Sequence, residues 1–207
     1  MKKQVMTVKY KIEFFSQWHC GSGTSAGADV DELVVKDFNG MPFLPGKTVK
    51  GLVREAVENY VQFLPPAQKS TDGDAEAGAT QSHGIIEKCF GTEGKTAGCC
   101  HFTDAVLSEV EYESIIKGKL QKYLYRKLTT TAIGDDGTAR EHSLRSMEVV
   151  VPCTLHGEIT DVPEGKGEVM NMGEVMAKSL GLIKRLGQKR NRGLGRCDFK
   201  IDEEGGK

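Results

Sequence analysis

The sequence is poor in aromatic residues, which make up 7% of 207 with a single tryptophan, so the core it closes must be largely aliphatic. It has no run near the roughly 18 consecutive apolar residues that a membrane-crossing helix needs. Its N-terminus, Met1-Lys2-Lys3-Gln4-Val5, leads into an alternating pattern and not into an apolar leader, which makes the cytoplasm the expected location. It also lacks an excess of either charge: 28 Lys and Arg against 29 Asp and Glu leave −1, a total that selects no partner. Hydrophobic content of 38% and charged content of 28% exclude a disordered chain or a fibre. The length suits a single domain over residues 1–207 with a sizeable core.

Glycine is what the chain has in plenty, 25 residues where about 7% is usual, so many backbone positions need freedom that other residues lack. The charges are also segregated. Lys178, Lys184, Arg185, Lys189, Arg190, Arg192 and Arg196 occur with no acidic residue among them, whereas Thr71 to Glu76 is acidic. A neutral total with one basic stretch fits a protein that meets a polyanion on one face; the plain alternative is a solvated surface near the C-terminus.

Residues 7–17 alternate as a strand, with Val8, Tyr10, Ile12 and Phe14 on one face. A glycine-rich stretch from His19 to Gly27 follows. Leu33-Val34-Val35 and Met41-Pro42-Phe43-Leu44 flank Asn39-Gly40, a strong hairpin signal. Thr48 is the expected N-cap of a helix over 49–64 whose apolar residues recur with helical period. Pro65-Pro66 ends it, and residues 65–82 read as an insertion loop. A short helix over 83–89, a strand over 100–111, a Thr-, Gly- and Asp-rich excursion over 127–145, a strand over 147–159, a helix over 173–186 and a strand over 196–201 complete the order. Two helices on one face of an antiparallel sheet give an α+β domain, ferredoxin-like or RRM-like, from which the excursion projects as a β-hairpin.

Two segments carry anion-binding chemistry. In Leu44-Pro45-Gly46-Lys47-Thr48-Val49-Lys50-Gly51-Leu52-Val53-Arg54 a Pro-Gly turn starts a helix whose N-terminal N–H groups and dipole favour an anion. Lys50 and Arg54, four apart, share a face. An ordinary strand-to-helix connection with exposed lysines would read the same way, and the Walker spacing is absent. In Gly187-Gln188-Lys189-Arg190-Asn191-Arg192-Gly193-Leu194-Gly195 basic side chains alternate with glycines that allow close backbone approach. A plain helix-to-strand turn needs one glycine and not three.

Together, GMPFLPGKTVKGLVREA and LGQKRNRGLGR resemble the paired signatures of the RAMP (repeat-associated mysterious protein) superfamily of CRISPR proteins. Between them WHCGSGTSAGADVDELVVKD, KCFGTEG, CCHFTDAVL and GTAREHSLRSMEVV stand in that family's order, so the resemblance runs from about Trp18 to Cys197. The single-domain size resembles the backbone subunit of type III effector complexes. The resemblance implies an RRM-like palm that holds guide RNA through His19, Lys47, Lys50, Arg54, Lys189, Arg190, Arg192, Gly193 and Gly195. It implies a hairpin thumb, here 127–145, that kinks the guide–target duplex. It further implies copies of the chain and other CRISPR effector subunits as partners.

Cleaving members of that family carry an Asp three residues ahead of the strand Val34-Val35-Lys36-Asp37, the position of Asp31. It supports divalent-metal-dependent (Mg or Mn) attack of a 2′-OH on the scissile phosphate of the target RNA. Asp29 and Glu32 lie beside it as alternatives, and Asp37 reads as a turn residue. A catalytically silent scaffold, and a guide-processing ribonuclease relying on His19, remain as alternative functions. Cys89, Cys99 and Cys100 with His83 read as ligands of a structural zinc, since disulfides are improbable in the cytosol; no CxxC pair is present, and a cysteine-rich core patch is the plain alternative. Cys20, Cys153 and Cys197 read as structural.

Overall fold

The computed structural model describes residues 5–27, 29–63, 84, 86–92, 94–163 and 171–202; the insertion loop expected over 65–82 lies outside them. β1 (Val5–Phe14) follows the alternation of its sequence, burying Val8, Tyr10, Ile12 and Phe14. It runs inside a four-stranded antiparallel sheet of order β4-β7-β1-β8, completed by β4 (His101–Phe102), β7 (Thr154–Pro163) and β8 (Cys197–Ile201). α1 (Gly46–Phe63) links β1 to β4, and a helix over Met172–Leu180, α3, links β7 to β8. The two helices pack on each other and on the strands through Val49, Val53 and Val57 of α1 and Val175, Met176 and Leu180 of α3. This is the split β-α-β-β-α-β arrangement of the ferredoxin-like class expected from the sequence.

The sheet's other face is open and charged, and its charges pair with one another. Lys11 lies 3.8 Å from Asp202, His156 Nδ1 3.0 Å from the same carboxylate, and Lys200 3.5 Å from Glu13 and 3.4 Å from Asp198. The aromatic residues of these strands, Tyr10, Phe14, Phe102 and Phe199, are all buried. Among the described residues this sheet therefore presents no Phe, Tyr or Trp platform of the kind on which an RRM stacks bases.

Between β4 and β7 the chain inserts α2 (Glu109–Gly118) and a hairpin of β5 (Tyr125–Thr130) and β6 (Arg145–Val150). The hairpin pairs Tyr125 with Val150 through Thr130 with Arg145. Met147, Val149 and Val150 are buried at its base, while residues 135–142 at its tip are exposed. The expected excursion over 127–145 is thus the outer part of this hairpin.

Several expected boundaries are corrected. The strand expected over 100–111 is regular only at His101–Phe102, because Ser108 and Glu111 form a capping box that starts α2. The strand expected over 147–159 is two strands in two sheets, broken at Val151-Pro152-Cys153, where Pro152 cannot donate to a ladder. The helix expected over 173–186 stops at Leu180; Ile183 and Leu186 are buried from an extended segment, which imitates helical spacing. The Asn39-Gly40 turn forms, with Asp37 Oδ1 accepting from the N–H groups of Asn39 (2.9 Å) and Met41 (2.8 Å). Its flanks pair mostly with other segments, Val34 with Gly21 and Leu44 with Ala105.

Two glycines separate packing from propensity. A Cβ at Gly157 would fall inside the Tyr10 phenol, whereas one at Gly51 on α1 would meet open space. Gly157→Ala should cost about 1–3 kcal/mol in denaturant unfolding. Gly51→Ala should gain roughly 0.5–1 kcal/mol.

Candidate functional site

The loop over 187–195 is fixed by backbone contacts. Gly187 (φ +84°) lies so close to the His19 carbonyl that any Cβ would collide with it, and Gly195 (φ +68°) lies equally close to the Leu186 carbonyl. The Gln188 N–H donates to His19 O (3.0 Å), the Gly195 N–H to Gln17 O (2.7 Å) and the Leu186 N–H to Gly195 O (2.8 Å). Between these ties Lys189 (φ +51°) starts a 3₁₀ turn, Arg190–Arg192, which closes on Gly193 (φ +89°). Arg190 and Arg192 are exposed and Lys189 half-buried. Arg185 Nη1 donates to the Arg190 carbonyl at 2.8 Å, and Arg196 lies 5.5 Å over the Phe15 ring. The result is a pinned turn that presents cations to solvent.

His19 is the floor against which that turn rests. Trp18 before it stacks on Phe14 with ring centroids 4.6 Å apart and exchanges backbone hydrogen bonds with Val150 (3.1 and 2.8 Å). The His19 ring, expected among the RNA contacts, is fully buried. Nδ1 lies 2.6 Å from the Glu148 carbonyl, which can only accept, so Nδ1 carries the proton. Nε2 faces Glu32 Oε2 at 3.9 Å, and both atoms are buried without a hydrogen-bond partner among the described residues. His19, Gly21, Thr24, Asp31, Glu32 and Gln188 line a cleft of about 320 Å³.

Asp31, the candidate cleavage residue, thus shares a cleft with the glycine-rich loop. Its Oδ2 accepts from the Ser146 N–H (2.7 Å) and lies 3.4 Å from Ser146 Oγ, and its own N–H donates to Ser146 O (3.0 Å). Oδ1 has no partner among the described residues. Asp29, the alternative, is tied to Lys127 Nζ at 2.8 Å, and that ammonium holds its carboxyl below the usual range. Asp29 is absent from the cleft lining, whereas Glu32 shares it with Asp31.

The start of α1 departs from expectation. The helix begins at Gly46, so Thr48 sits inside its first turn and donates its N–H to Pro45 O (2.8 Å). The Gly46 N–H donates to Asp104 Oδ1 (2.7 Å), and a Cβ there would strike the Phe102 carbonyl. This carboxylate and close packing occupy the end that was expected to offer free N–H groups to an anion. Lys47 is exposed and close enough to Cys20 for its charge to oppose the burial that pushes that thiol up. It therefore flanks the His19–Cys20 stretch on which the 187–195 loop also rests. Lys50 is half-buried one turn on. Arg54 is engaged away from this cleft, donating to Glu58 Oε1 (2.7 Å) and to the Gly91 carbonyl (3.1 Å).

Gly91 leads to the cysteines. A helical turn at 86–90 and the two-residue strands β2 (Gly91–Thr92) and β3 (Thr96–Ala97) bring Cys89, Cys99 and Cys100 together. Their sulfurs all lie within 4.8 Å of one another. Hydrogen bonding from Cys100 lowers the Cys89 thiol and raises that of Cys100. Tetrahedral Zn–S bonds of about 2.3 Å place sulfurs about 3.8 Å apart, a spacing that three thiols within 4.8 Å of one another can reach by small side-chain movement. His83 lies outside the described residues. Burial pushes Cys153 up to about 11 and Cys197 up to about 12, which suits inert thiols.

Sequence reasoning passed over Gln188, Ser146 and Asp104. All three lie inside the quoted segments, Gln188 in the glycine–arginine motif, Ser146 in GTAREHSLRSMEVV and Asp104 in CCHFTDAVL, but nothing local marks the last two, whose partners are 115 and 58 residues away.

The comparisons bear on the family and the fold. The RAMP superfamily model matches residues 11–198. A curated relative, the CRISPR system Cms endoribonuclease Csm3 of Enterococcus italicus, is 27% identical over 200 residues, covering 93% of this chain and 88% of the relative. A chain of type III-B Cmr-beta bound to cognate target RNA matches with a TM-score of 0.65 at 12% identity, covering 95% of this chain and 97% of that one. A chain of the apo state of Cmr-beta gives 0.64 at 13%, covering 96% and 98%. At such identity the structures show the fold alone. The family match takes in the sheet, the cleft and both basic segments, and the chain belongs to the RAMP superfamily.

Proposed function

We propose that this chain is the guide-RNA-binding backbone subunit of a type III CRISPR effector complex, assembling in copies along the guide and cutting complementary target RNA at Asp31. The observation that carries the reading is the single cleft in which Asp31 and the pinned loop of residues 187–195 meet over His19. The named activity of the Csm3 relative and the type III effectors that hold the solved neighbours support it.

Lys47, Lys50, Lys189, Arg190 and Arg192 grip ribose-phosphate without reading bases. Specificity then resides in guide–target pairing, as in other RNA-guided systems. The hairpin of β5 and β6 is the thumb that distorts the duplex. Cleavage forms a bond from the 2′-OH oxygen to the adjacent phosphorus and breaks the bond to the 5′ oxygen, leaving a cyclic phosphate and a free 5′-OH. Asp31, with Oδ2 anchored and Oδ1 unpartnered, offers the oxygen donor that Mg or Mn prefers. When bound there, such an ion neutralises charge on the scissile phosphate. Full burial of the His19 ring counts against a guide-processing ribonuclease that relies on it. Cys89, Cys99 and Cys100, with His83 as the fourth ligand expected from the sequence, hold a structural zinc. Among the described residues no helix is long and apolar enough to cross a membrane, and the protein works with RNA and the other effector subunits.

Asp31→Ala in the complex assembled with guide RNA should cut target at least ~100-fold more slowly while RNA affinity changes less than about twofold. Unchanged cleavage would leave only a scaffold. Replacing both Arg190 and Arg192 by Ala should weaken RNA binding uniformly across sequences and reduce the salt slope by about 1.4. Elemental analysis should find about one zinc per chain, lost in Cys99→Ser together with thermal stability; a metal-free parent protein would refute the zinc site.

A further inference from the structure

The loop that carries Asp31 is fastened to the base of the thumb along several residues. Asp31 and Ser146 of β6 are joined by two hydrogen bonds: the Asp31 N–H donates to Ser146 O, and the Ser146 N–H donates to the Asp31 side chain at Oδ2. The Glu148 N–H donates to Glu32 O (2.9 Å), and the Glu148 side chain accepts from the Val34 N–H (3.2 Å) and Lys36 Nζ (2.8 Å). On the other strand of the hairpin, Lys127 holds Asp29. Ser146 Oγ adds a donation to the Asp29 carbonyl at 3.0 Å. Both backbone groups of Ser146 therefore point away from its register partner Thr129 and toward the candidate cleavage loop.

We propose that Ser146 is a positioning residue for cleavage, through which the base of the thumb aims the Asp31 carboxylate. With Oδ2 engaged by Ser146, Oδ1 is the atom left to act on the RNA or on its counter-ion. The direction of Oδ1 then follows the thumb strand. Duplex distortion by the thumb and presentation of the carboxylate become properties of one unit. This inference rests on the reading of Asp31 as the cleavage residue.

The test compares Asp31→Ala, Ser146→Pro, Ser146→Ala and Ser146→Thr in the complex assembled with guide RNA. It follows single-turnover cleavage, RNA affinity and the Mg²⁺ concentration that gives half-maximal rate. Proline removes the N–H directed at Asp31 together with the hydroxyl, which Ser146→Ala removes alone, and it spares the β5 ladder, which does not use that N–H. Ser146→Pro should slow cleavage about 10–100-fold and raise the Mg²⁺ requirement, with RNA affinity within about twofold. Ser146→Ala should move both quantities the same way by about three- to fivefold, and Ser146→Thr should keep parent behaviour. The proposal is overturned if Ser146→Pro cuts like the parent, or if the rate falls with an unchanged Mg²⁺ requirement, which marks a structural role alone. Should the proline variant not assemble, the alanine variant decides by the same criteria. Parent-like cutting by Asp31→Ala would remove the underlying reading as well, and that failure shows in its own arm.

Discussion

The backbone of Gly187 lies against the carbonyl of His19 at a distance no side chain permits, and the candidate site is assembled around that approach. The same carbonyl accepts from the Gln188 N–H, while the His19 ring reaches the Glu148 carbonyl and Trp18 beneath it stacks on Phe14. Three stretches far apart in sequence, 14–21, 146–150 and 186–195, are thereby held in one place by main-chain contacts and one buried imidazole. A cationic turn so constrained gives up little freedom when it meets a ligand, which is where preorganised surfaces gain affinity.

The insertion between β4 and β7 has two mechanical regimes. At its base, Met147, Val149 and Val150 are buried and the flanking loop is hydrogen-bonded to β6. At its tip the ribbon is exposed, and an isolated two-stranded ribbon is marginal in water. Order at the tip is therefore the part most open to influence from a bound duplex, whereas the base behaves as part of the domain.

The sheet and its helices were legible because they follow simple periods. The alternation of Val8, Tyr10, Ile12 and Phe14 and the helical repeat from Val49 onward each specify one buried face, and both are buried as expected. The misread boundaries have a common cause. Ile183 and Leu186 sit at helical spacing yet are buried from extended chain, and Met147 to Ile159 alternates across a break that only Pro152 marks. Local pattern reports burial and leaves open which neighbour does the burying. For the site, the glycine–arginine motif could be read directly, since its chemistry is in its composition, whereas Asp31 was singled out only by the resemblance to the family's cleaving members. Asp104 at the start of α1 and Ser146 behind Asp31 could not, because each is defined by a partner that only the fold brings near.

The open face of the sheet bears charges that pair with one another, while the Phe and Tyr rings of its strands are turned inside. A surface without those rings gives a nucleobase no stacking platform, and grip on ribose and phosphate alone carries no sequence information. In the role proposed, that indifference is an asset: the same unaltered chain can be loaded with any spacer the cell has archived, and new immunity needs no new protein.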